Sequence, residues 1–161
     1  MIVVSNTTPL IGLASIQRFD LLKHLFGEVH IAQAVYNEIM NAGSVKGTAV
    51  PEVSTSLWLK SVAVQDRLAV EVLLDELDFG EAETIVLARE IKADWVVMDE
   101  KKGRQKLVQL GINKIGTLGV LLKAKEINLL SHIKPELEKL QENGFSLSQA
   151  VIESVLEQAG E

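Results

Sequence analysis

The sequence predicts an α/β fold in which helices surround a parallel sheet. Two short apolar runs, Ile2–Ser5 and Trp95–Met98, lack the alternation of a half-exposed strand and are typical of strands buried on both faces. Segments with helical periodicity separate these runs, and strands that alternate with helices form parallel sheets through right-handed crossovers. The chain has 161 residues, of which 47% are hydrophobic and 24% charged, as expected of one globular domain.

The first half of the chain is predicted to supply two or three of the strands. Ile2–Ser5 is the first, and Pro9, which suits the first position of a helix, places a helix start at Thr8 and Pro9. The pattern over Leu59–Val64 fits a strand or a helix end. The other expected segments are a helix through Ser15, a helix over Phe19–Phe26, a strand at Val29–Ile31, a helix over Ala32–Met40, an exposed loop over Gly43–Pro51, a helix over Val70–Leu77 and a turn at Asp78–Gly80.

The second half is predicted to alternate strands and helices and then to become wholly helical. The expected segments are a helix over Glu81–Lys92, a strand over Asp94–Asp99, a basic helix over Lys102–Leu110, a strand at Asn113–Ile115, a helix over Thr117–Glu126 and, from His132 onward, two helices separated at Asn143 and Gly144. Ser146 and Gln149 have the spacing of a capping box for the last helix. Its apolar stripe of Leu147, Val151 and Val155 favours a helix that closes the domain's own core, and a dimer contact stays open.

Composition excludes several classes of function. The absence of cysteine excludes a disulfide framework, a thiolate zinc site, an iron–sulfur cluster and a cysteine nucleophile. The three histidines lack the spacing of a zinc protease, and no apolar run has the length of a membrane span or a signal peptide, so a cytoplasmic protein is expected. A net charge of −6 excludes a coat-like DNA binder. It permits an enzyme with acidic metal ligands and one basic groove.

Two apolar strands end in side chains that carry oxygen. Asn6 follows the first strand and Asp99 follows the strand that begins near Trp95. Ligands of open α/β sheets bind beyond the carboxyl ends of the strands, so neighbouring strands would bring Asn6 and Asp99 to one edge of the sheet. Either residue alone is also a common turn former, and the pair leaves the two interpretations nearly equal.

Glu81 is predicted to point towards the same edge. Ile85 and Ala88 follow it at spacings of four and seven, which places Glu81 at the end of the core-facing stripe of its helix. An alternative has equal weight: Asp78 and Glu81 have capping-box spacing, and an acid in the first turn complements the helix dipole. Glu83 faces away on this geometry and is the weaker candidate.

Glu38 completes a set of four residues with oxygen ligands. It lies beside Val35 and Ile39, at the boundary of an apolar stripe, where an isolated acid is usually a solvated flank. Together with Asn6, Glu81 and Asp99 it would form the oxygen-rich site that Mg²⁺ and Mn²⁺ prefer, and two such ions can promote cleavage of a phosphodiester.

Two further segments bear on the ligand. Lys101–Lys106 contains four cationic residues in an otherwise acidic chain and would hold the phosphates of a nucleic acid, unless it is only an exposed helix start. Gly116–Gly119 leaves nucleotide binding as a third interpretation, although both common phosphate-loop patterns are missing.

The order of these segments resembles that of a PIN domain. The matching segments are Ile2–Leu10, the Val35–Ile39 helix with Glu38, Gly80–Ala88, Trp95–Asp99 and Gly116–Leu122. The chain looks most like a prokaryotic branch of that family in which a helical piece follows the domain. The resemblance therefore implies a PIN-like domain over residues 1–130 and a helical extension over residues 131–161 that packs on it.

The resemblance also implies a fold and an activity. The fold is a Rossmann-like, three-layer α/β/α arrangement, and the activity is that of an endoribonuclease dependent on Mg²⁺ or Mn²⁺. The chain would be the toxin of a toxin–antitoxin pair, inhibited by a small antitoxin protein, and a homodimer. Its substrate would be single-stranded or structured RNA.

By position, the residues of the family's site fall on eight residues of this chain. The metal ligands are Asn6, Glu38, Glu81 and Asp99, of which the three acids are catalytic, while Thr7 and Thr117 line the site and Lys102 or Arg104 meets phosphate. PIN nucleases usually have Asp where this chain has Asn6, which removes one negative charge and lowers the expected metal affinity. A catalytically weak or inactive module that binds RNA or protein is therefore the alternative.

Overall fold

The computed structural model describes residues 1–42 and 49–161. Within these ranges five strands form one sheet: β1 (Val3–Ser5), β2 (Val29–Ala32), β3 (Leu59–Val62), β4 (Trp95–Val97) and β5 (Asn113–Ile115). Their order is β3-β2-β1-β4-β5, and all neighbouring strands are parallel. The predicted parallel α/β fold is confirmed.

Ten helices lie around this sheet in the described ranges. They are α1 (Thr7–Ser15), α2 (Leu21–Phe26), α3 (Gln33–Asn41), α4 (Val50–Thr55), α5 (Arg67–Leu73), α6 (Phe79–Glu90), α7 (Lys101–Gln109), α8 (Thr117–Glu126), α9 (Lys134–Glu142) and α10 (Gln149–Gln158). Within the described ranges, none of them has both the length and the apolar character needed to cross a membrane.

Helix α6 is the central helix of the molecule. It lies against β1, β2 and β4 and also contacts α3, α5 and α7. Every residue of its segment 80–88 is buried, because it is enclosed on all sides. The first turn of α6 is therefore held at a fixed position beside the sheet.

The sheet order creates a crevice between β1 and β4. In chain order the sheet grows from β1 to β2 and β3 on one side, and through β4 to β5 on the other. Connections that leave two adjacent parallel strands in opposite directions leave an open crevice at their carboxyl ends, where ligands of α/β proteins bind. Ser5 pairs with Val97 in this register, and the Asn6 N–H donates to the Val97 carbonyl at 3.0 Å. The predicted meeting of Asn6 with the end of β4 is thus observed.

Several helix starts differ from those that the sequence predicts. Asn6 is the N-cap of α1, and Pro9 is the third residue of that helix rather than the first. Asp78 is the N-cap of α6, so Asp78–Gly80 begins the helix instead of forming a separate turn. The last helix is capped by Ser148, whose side chain accepts from the Val151 N–H, and not by Ser146. In each case the polar residue with a free backbone N–H to bond lies one or two positions from the predicted one.

The region from residue 43 to residue 77 also departs from expectation. Of the predicted loop Gly43–Pro51, residues 43–48 lie outside the described residues, whereas Ala49 is fully buried and Val50 opens α4. The Leu59–Val64 segment is a strand, β3. The helix predicted over Val70–Leu77 ends at Leu73 and starts earlier, because the Asp66 side chain caps it at the Ala69 N–H.

The C-terminal helices share the core of the sheet domain. Ile133, Leu137 and Leu140 are buried in the same apolar cluster as the strands. Of the predicted stripe, Val155 is buried but Val151 is 42% exposed. The Glu161 carboxylate accepts from the Ile133 N–H at 2.8 Å and from Lys125 Nζ at 2.9 Å, which ties the last residue to α8 and to the start of α9.

Candidate functional site

Asn6 lies at the centre of the crevice. Its residue is only 3% exposed, and its backbone is held by the bond to Val97. The side-chain Nδ2 donates to Glu100 Oε2 at 3.0 Å, while Oδ1 lies 3.5 Å from Thr84 Oγ1 on α6. Asn6 therefore connects the end of β1 with the end of β4 and with the central helix.

Glu38 reaches the same place from α3. Its Oε2 accepts from Thr7 Oγ1 at 2.9 Å. A β-carbon built on Gly80 would lie 2.8 Å from Glu38 Oε2, 3.7 Å from Asp78 Oδ1 and 3.8 Å from Asn6 Oδ1. Only glycine leaves this space open, so the first turn of α6 has an oxygen-lined gap directly beside Asn6 and Glu38.

Glu81 both caps α6 and carries a perturbed carboxyl group. Its Oε1 accepts from the Asp78 N–H at 3.1 Å, and Asp78 Oδ1 accepts from the Glu81 N–H at 2.8 Å, a complete capping box. Burial raises the pKa of Glu81 to about 7, and the charges of Asp78 and Glu100 add to the rise. The capping interpretation is therefore observed, and Glu81 also lies among other acids.

Asp99 is directed towards α8. Its Oδ1 accepts from the Thr117 N–H at 2.8 Å and its Oδ2 accepts from Thr117 Oγ1 at 2.7 Å. Arg104 Nη1 lies as close as Asp99 Oδ1 to the place that a β-carbon on Gly116 would take, 2.9 Å for each. Burial raises the pKa of the Asp99 carboxyl, while the bonds from Thr117 and the charge of Arg104 oppose the rise.

Glu100 is an acid of this site that the sequence reasoning missed. It is the N-cap residue of α7 and accepts from Asn6 Nδ2 and from Thr8 Oγ1. Its charge raises the pKa of both Glu81 and Asp99, which places it between them. Glu100 directly follows Asp99, and a second acid at a strand end, with a side chain one methylene longer, was the signal that would have found it.

The remaining acid of α6 belongs to the scaffold. Glu83 is 3% exposed, and its two oxygens accept from the Ala34 N–H at 2.9 Å and from Arg67 Nη1 at 2.6 Å. Glu83 therefore joins α6 to α3 and α5.

The basic segment divides into separate surfaces. A groove of about 340 Å³ beside Asp99 is lined by Lys101, Arg104 and Lys114, and Arg104 Nη1 donates to the Met98 carbonyl at 3.0 Å. Lys102 is exposed and lines a neighbouring groove with Lys106, whose Nζ pairs with Glu76. Of the two predicted phosphate contacts, Arg104 lies next to the acids and Lys102 lies one groove away.

Thr7 and Thr117 are buried beside the site and not exposed along its wall. Thr7 is 6% exposed and donates to Glu38, and Thr117 is fully buried and donates to Asp99. Both hydroxyl groups therefore fix the direction of a carboxylate.

The donor set fits a hard divalent cation in its chemistry. The gap at Gly80 is surrounded by carboxylate and amide oxygens, the ligands that Mg²⁺ and Mn²⁺ prefer. Among the described residues, however, no group of three or more His, Asp or Glu side chains lies close enough together to hold one ion. Asn6 and Glu38 share the gap, whereas Glu81 and Asp99 are directed to their own helix caps.

Comparison with known proteins gives one match. The model of a family described as a PIN domain matches residues 2–161. No curated protein matches the chain significantly.

Proposed function

Since this chain belongs to the PIN-domain family, we propose that it is a metal-dependent endoribonuclease that hydrolyses phosphodiester bonds of RNA. PIN domains have a nuclease-type fold, typically bind RNA and generally use divalent metal ions. The observation that carries the proposal is the meeting of Asn6, Glu38 and Glu100 in the crevice between β1 and β4, beside a basic groove.

The proposed ion is Mg²⁺ or Mn²⁺. The residues that would hold it are Asn6, Glu38 and Glu81, together with the acid at the end of β4, for which the sequence predicts Asp99. When bound, such an ion supplies Lewis-acid chemistry that activates water and stabilises charge on the leaving oxygen. The oxygen-lined gap at Gly80 supports a hard cation at this place.

The RNA strand is proposed to follow the basic groove. Lys101, Arg104 and Lys114 face the groove beside Asp99 and would neutralise phosphates next to the acids. Lys102, which is exposed, would meet a phosphate farther along the strand. Thr7 and Thr117 would act by holding the carboxylates of Glu38 and Asp99 in place.

Cleavage of RNA by purified protein, with and without Mn²⁺, tests the function. The variant Glu38→Gln keeps an oxygen that can accept from Thr7 but removes the charge, and we expect it to lower the rate roughly a hundredfold. Glu126→Gln is the matched control, because Glu126 is exposed at the far end of α8 from Thr117. Equal rates for Glu38→Gln and the control would contradict the proposed site.

One observation favours an alternative function. Asn6 has no charge, and no three acids of the described ranges gather around one point, so a catalytically weak or inactive module that binds RNA or protein remains a second candidate. Calorimetry distinguishes the two. Retained RNA binding without heat of Mn²⁺ binding at millimolar concentration would favour the inactive module.

Exposed apolar side chains support a protein partner. Leu68, Val72 and Leu110 line a groove of about 610 Å³ between α5, α6 and α7 and are 71%, 64% and 39% exposed. Apolar surface of this kind marks protein-binding faces. The proposed partners are a second copy of the chain, as a homodimer, and a small antitoxin protein that inhibits cleavage, as in a toxin–antitoxin pair acting in the cytoplasm.

Two measurements test these partners. Light scattering gives the mass in solution, and the charged substitution Val72→Asp is expected to convert a dimer into a monomer. Co-expression with the small protein encoded beside the chain tests for an inhibitor, which is expected to suppress RNA cleavage. A monomer that no neighbouring product inhibits would contradict both partner proposals and leave the nuclease proposal untouched.

A further inference from the structure

We propose that Glu100, rather than Asp99, is the carboxylate that the end of β4 contributes to the metal-binding site, and that Asp99 is a positioning residue. The inference rests on the proposed function and changes one member of its ligand set. It follows from what each of the two adjacent acids contacts.

Glu100 faces the first strand and the gap. Its Oε2 lies 3.0 Å from Asn6 Nδ2, and its other oxygen accepts from Thr8 in the first turn of α1. Asn6 Oδ1 in turn borders the gap at Gly80, where Glu38 Oε2 is the nearest oxygen. Glu100, Asn6 and Glu38 thus form a continuous line of contacts from β4 to α3.

Asp99 faces the opposite direction. Both of its oxygens are bonded to Thr117, the first residue of α8, and one of these donors is a backbone N–H. Arg104 lies beside the same carboxylate at Gly116. Asp99 therefore caps α8 and has a cationic neighbour that already balances its charge.

The two acids also differ in how firmly they are held. The donors to Glu100 are the side chains of Asn6 and Thr8, which rotate about their own torsions. The Thr117 N–H is part of the α8 backbone and cannot turn away without unwinding the first turn of that helix. A cation entering the crevice therefore reorients the Glu100 contacts at lower cost than those of Asp99.

The charges of the site point to the same acid. Asn6 is neutral, so the pair formed by Asn6 and Glu100 carries one negative charge, next to that of Glu38. Metal affinity at oxygen sites rises with the number of charged ligands. Removing the Glu100 charge leaves Glu38 as the one acid in the line of contacts that reaches Asn6.

Calorimetric titration with Mn²⁺ separates the two acids. We expect Glu100→Gln to raise the Mn²⁺ dissociation constant roughly tenfold or more. Asp99→Asn is expected to change it by less than about threefold and to lower the melting temperature, because the cap of α8 is weakened. Circular dichroism of each variant checks that the fold is retained.

A double variant makes the test independent of folding defects. In Asn6→Asp, Glu100→Gln the charge moves across the hydrogen bond between residues 6 and 100, and the bond runs in the opposite direction with the same atoms in contact. We expect this double variant to recover Mn²⁺ affinity to within about threefold of the unmodified chain. Recovery by the double variant but not by Glu100→Gln alone would support the inference.

The outcomes distinguish this inference from the proposed function. Loss of Mn²⁺ binding in Asp99→Asn with an unchanged melting temperature, and no loss in Glu100→Gln, would overturn the inference and leave the nuclease proposal standing. Failure of the unmodified chain to bind Mn²⁺ at millimolar concentration, together with failure to cleave RNA, would overturn both.

Discussion

The Glu81 carboxyl group shows how one residue serves a helix and a site with conflicting demands. As part of the capping box it accepts a hydrogen bond from the Asp78 N–H, which favours the charged form. Burial and the neighbouring charges of Asp78 and Glu100 favour the neutral form and prevail, since the pKa rises to about 7. Near neutral pH, Glu81 is therefore divided between its two protonation states.

This shift predicts a pH-dependent stability. The folded pKa of Glu81 lies above its ordinary value of 4.5, so the folded chain holds a proton that the unfolded chain has released between pH 4.5 and about 7. Glu81 therefore destabilises the fold increasingly as pH rises through that window, and not below it. We expect Glu81→Gln to be more stable than the unmodified chain by roughly 2 kcal/mol at pH 8 and equal to it at pH 4.5.

Urea denaturation at the two pH values, without divalent cations, measures this difference. Glu126→Gln, at an exposed position, is expected to show no such dependence. A stability gain in Glu81→Gln that is the same at both pH values would mean that the charge of Glu81 is not the cause.

Gly80 gives a second prediction at a single position. In Gly80→Ala the new β-carbon would lie 2.8 Å from Glu38 Oε2, so the exposed Glu38 side chain has to swing away from Thr7. Alanine is also the better helix former, by up to about 1 kcal/mol. We expect melting temperature to stay equal or rise while RNA cleavage falls roughly ten- to a hundredfold. Unchanged cleavage would show that the gap is not part of the site.

At the scale of the element, α7 is both the carrier of Glu100 and the wall of the basic groove. It rests on β4 at Gly103, which is buried against Met98, a side chain with no exposed surface. A β-carbon on Gly103 would lie 2.1 Å from Met98 Sδ. The close approach of α7 to the strand therefore depends on the absence of a side chain at residue 103.

The packing of α7 predicts a paired effect. Gly103→Ala is expected to lower the free energy of unfolding by roughly 1–2 kcal/mol, because Met98 has no free space to enter. Adding Met98→Ala makes room, so the double variant is expected to lose less than the sum of the two single changes. Urea denaturation measures both, with the exposed Gln105→Ala on the same helix as the control. Simple additivity would argue against a direct contact between residues 103 and 98.

At the scale of the molecule, the charge distribution sets how RNA is bound. The chain carries a net charge of −6, which repels RNA over most of the surface, while Lys101, Arg104 and Lys114 gather at one groove. Binding is therefore expected to depend strongly on salt and to be confined to that groove.

The salt dependence of RNA affinity tests this distribution. Lys101→Gln is expected to reduce the slope of log affinity against log salt by roughly 0.7, the value for one lost phosphate contact on a single strand. Lys134→Gln, on the exposed side of α9, removes the same charge elsewhere and is expected to leave the slope unchanged. Equal effects of both variants would indicate that only the net charge matters.

The fold was accessible from the sequence because its signals are local. The apolar runs around Val3 and Val96 are buried strands, and both strand ends meet as expected. Helix starts were misplaced where two polar residues compete for the cap, as Ser146 and Ser148 do. The division at residue 130 stays a prediction, and the helices beyond it share the core of the sheet domain.

The site was less accessible because it depends on side-chain direction. Sequence spacing places Asn6, Glu38 and Glu81 near the crevice, but it does not show that Thr117 holds Asp99 or that Asn6 contacts Glu100. These choices depend on which donors the folded backbone presents. Adjacent acids such as Asp99 and Glu100 have opposite directions at the end of a strand, and sequence alone does not separate their roles.

The two oxygen-lined gaps at Gly80 and Gly116 have a consequence for related proteins. Each gap exists only where the chain lacks a β-carbon, and each borders a different acid, Glu38 at the first and Asp99 at the second. A homologue that has replaced the first glycine is expected to have given up cation chemistry while keeping its architecture. One that has replaced the second is expected to show a rearranged start of the helix at Thr117. Two letters of an aligned sequence would then sort relatives into working enzymes and retired scaffolds before any of them is purified.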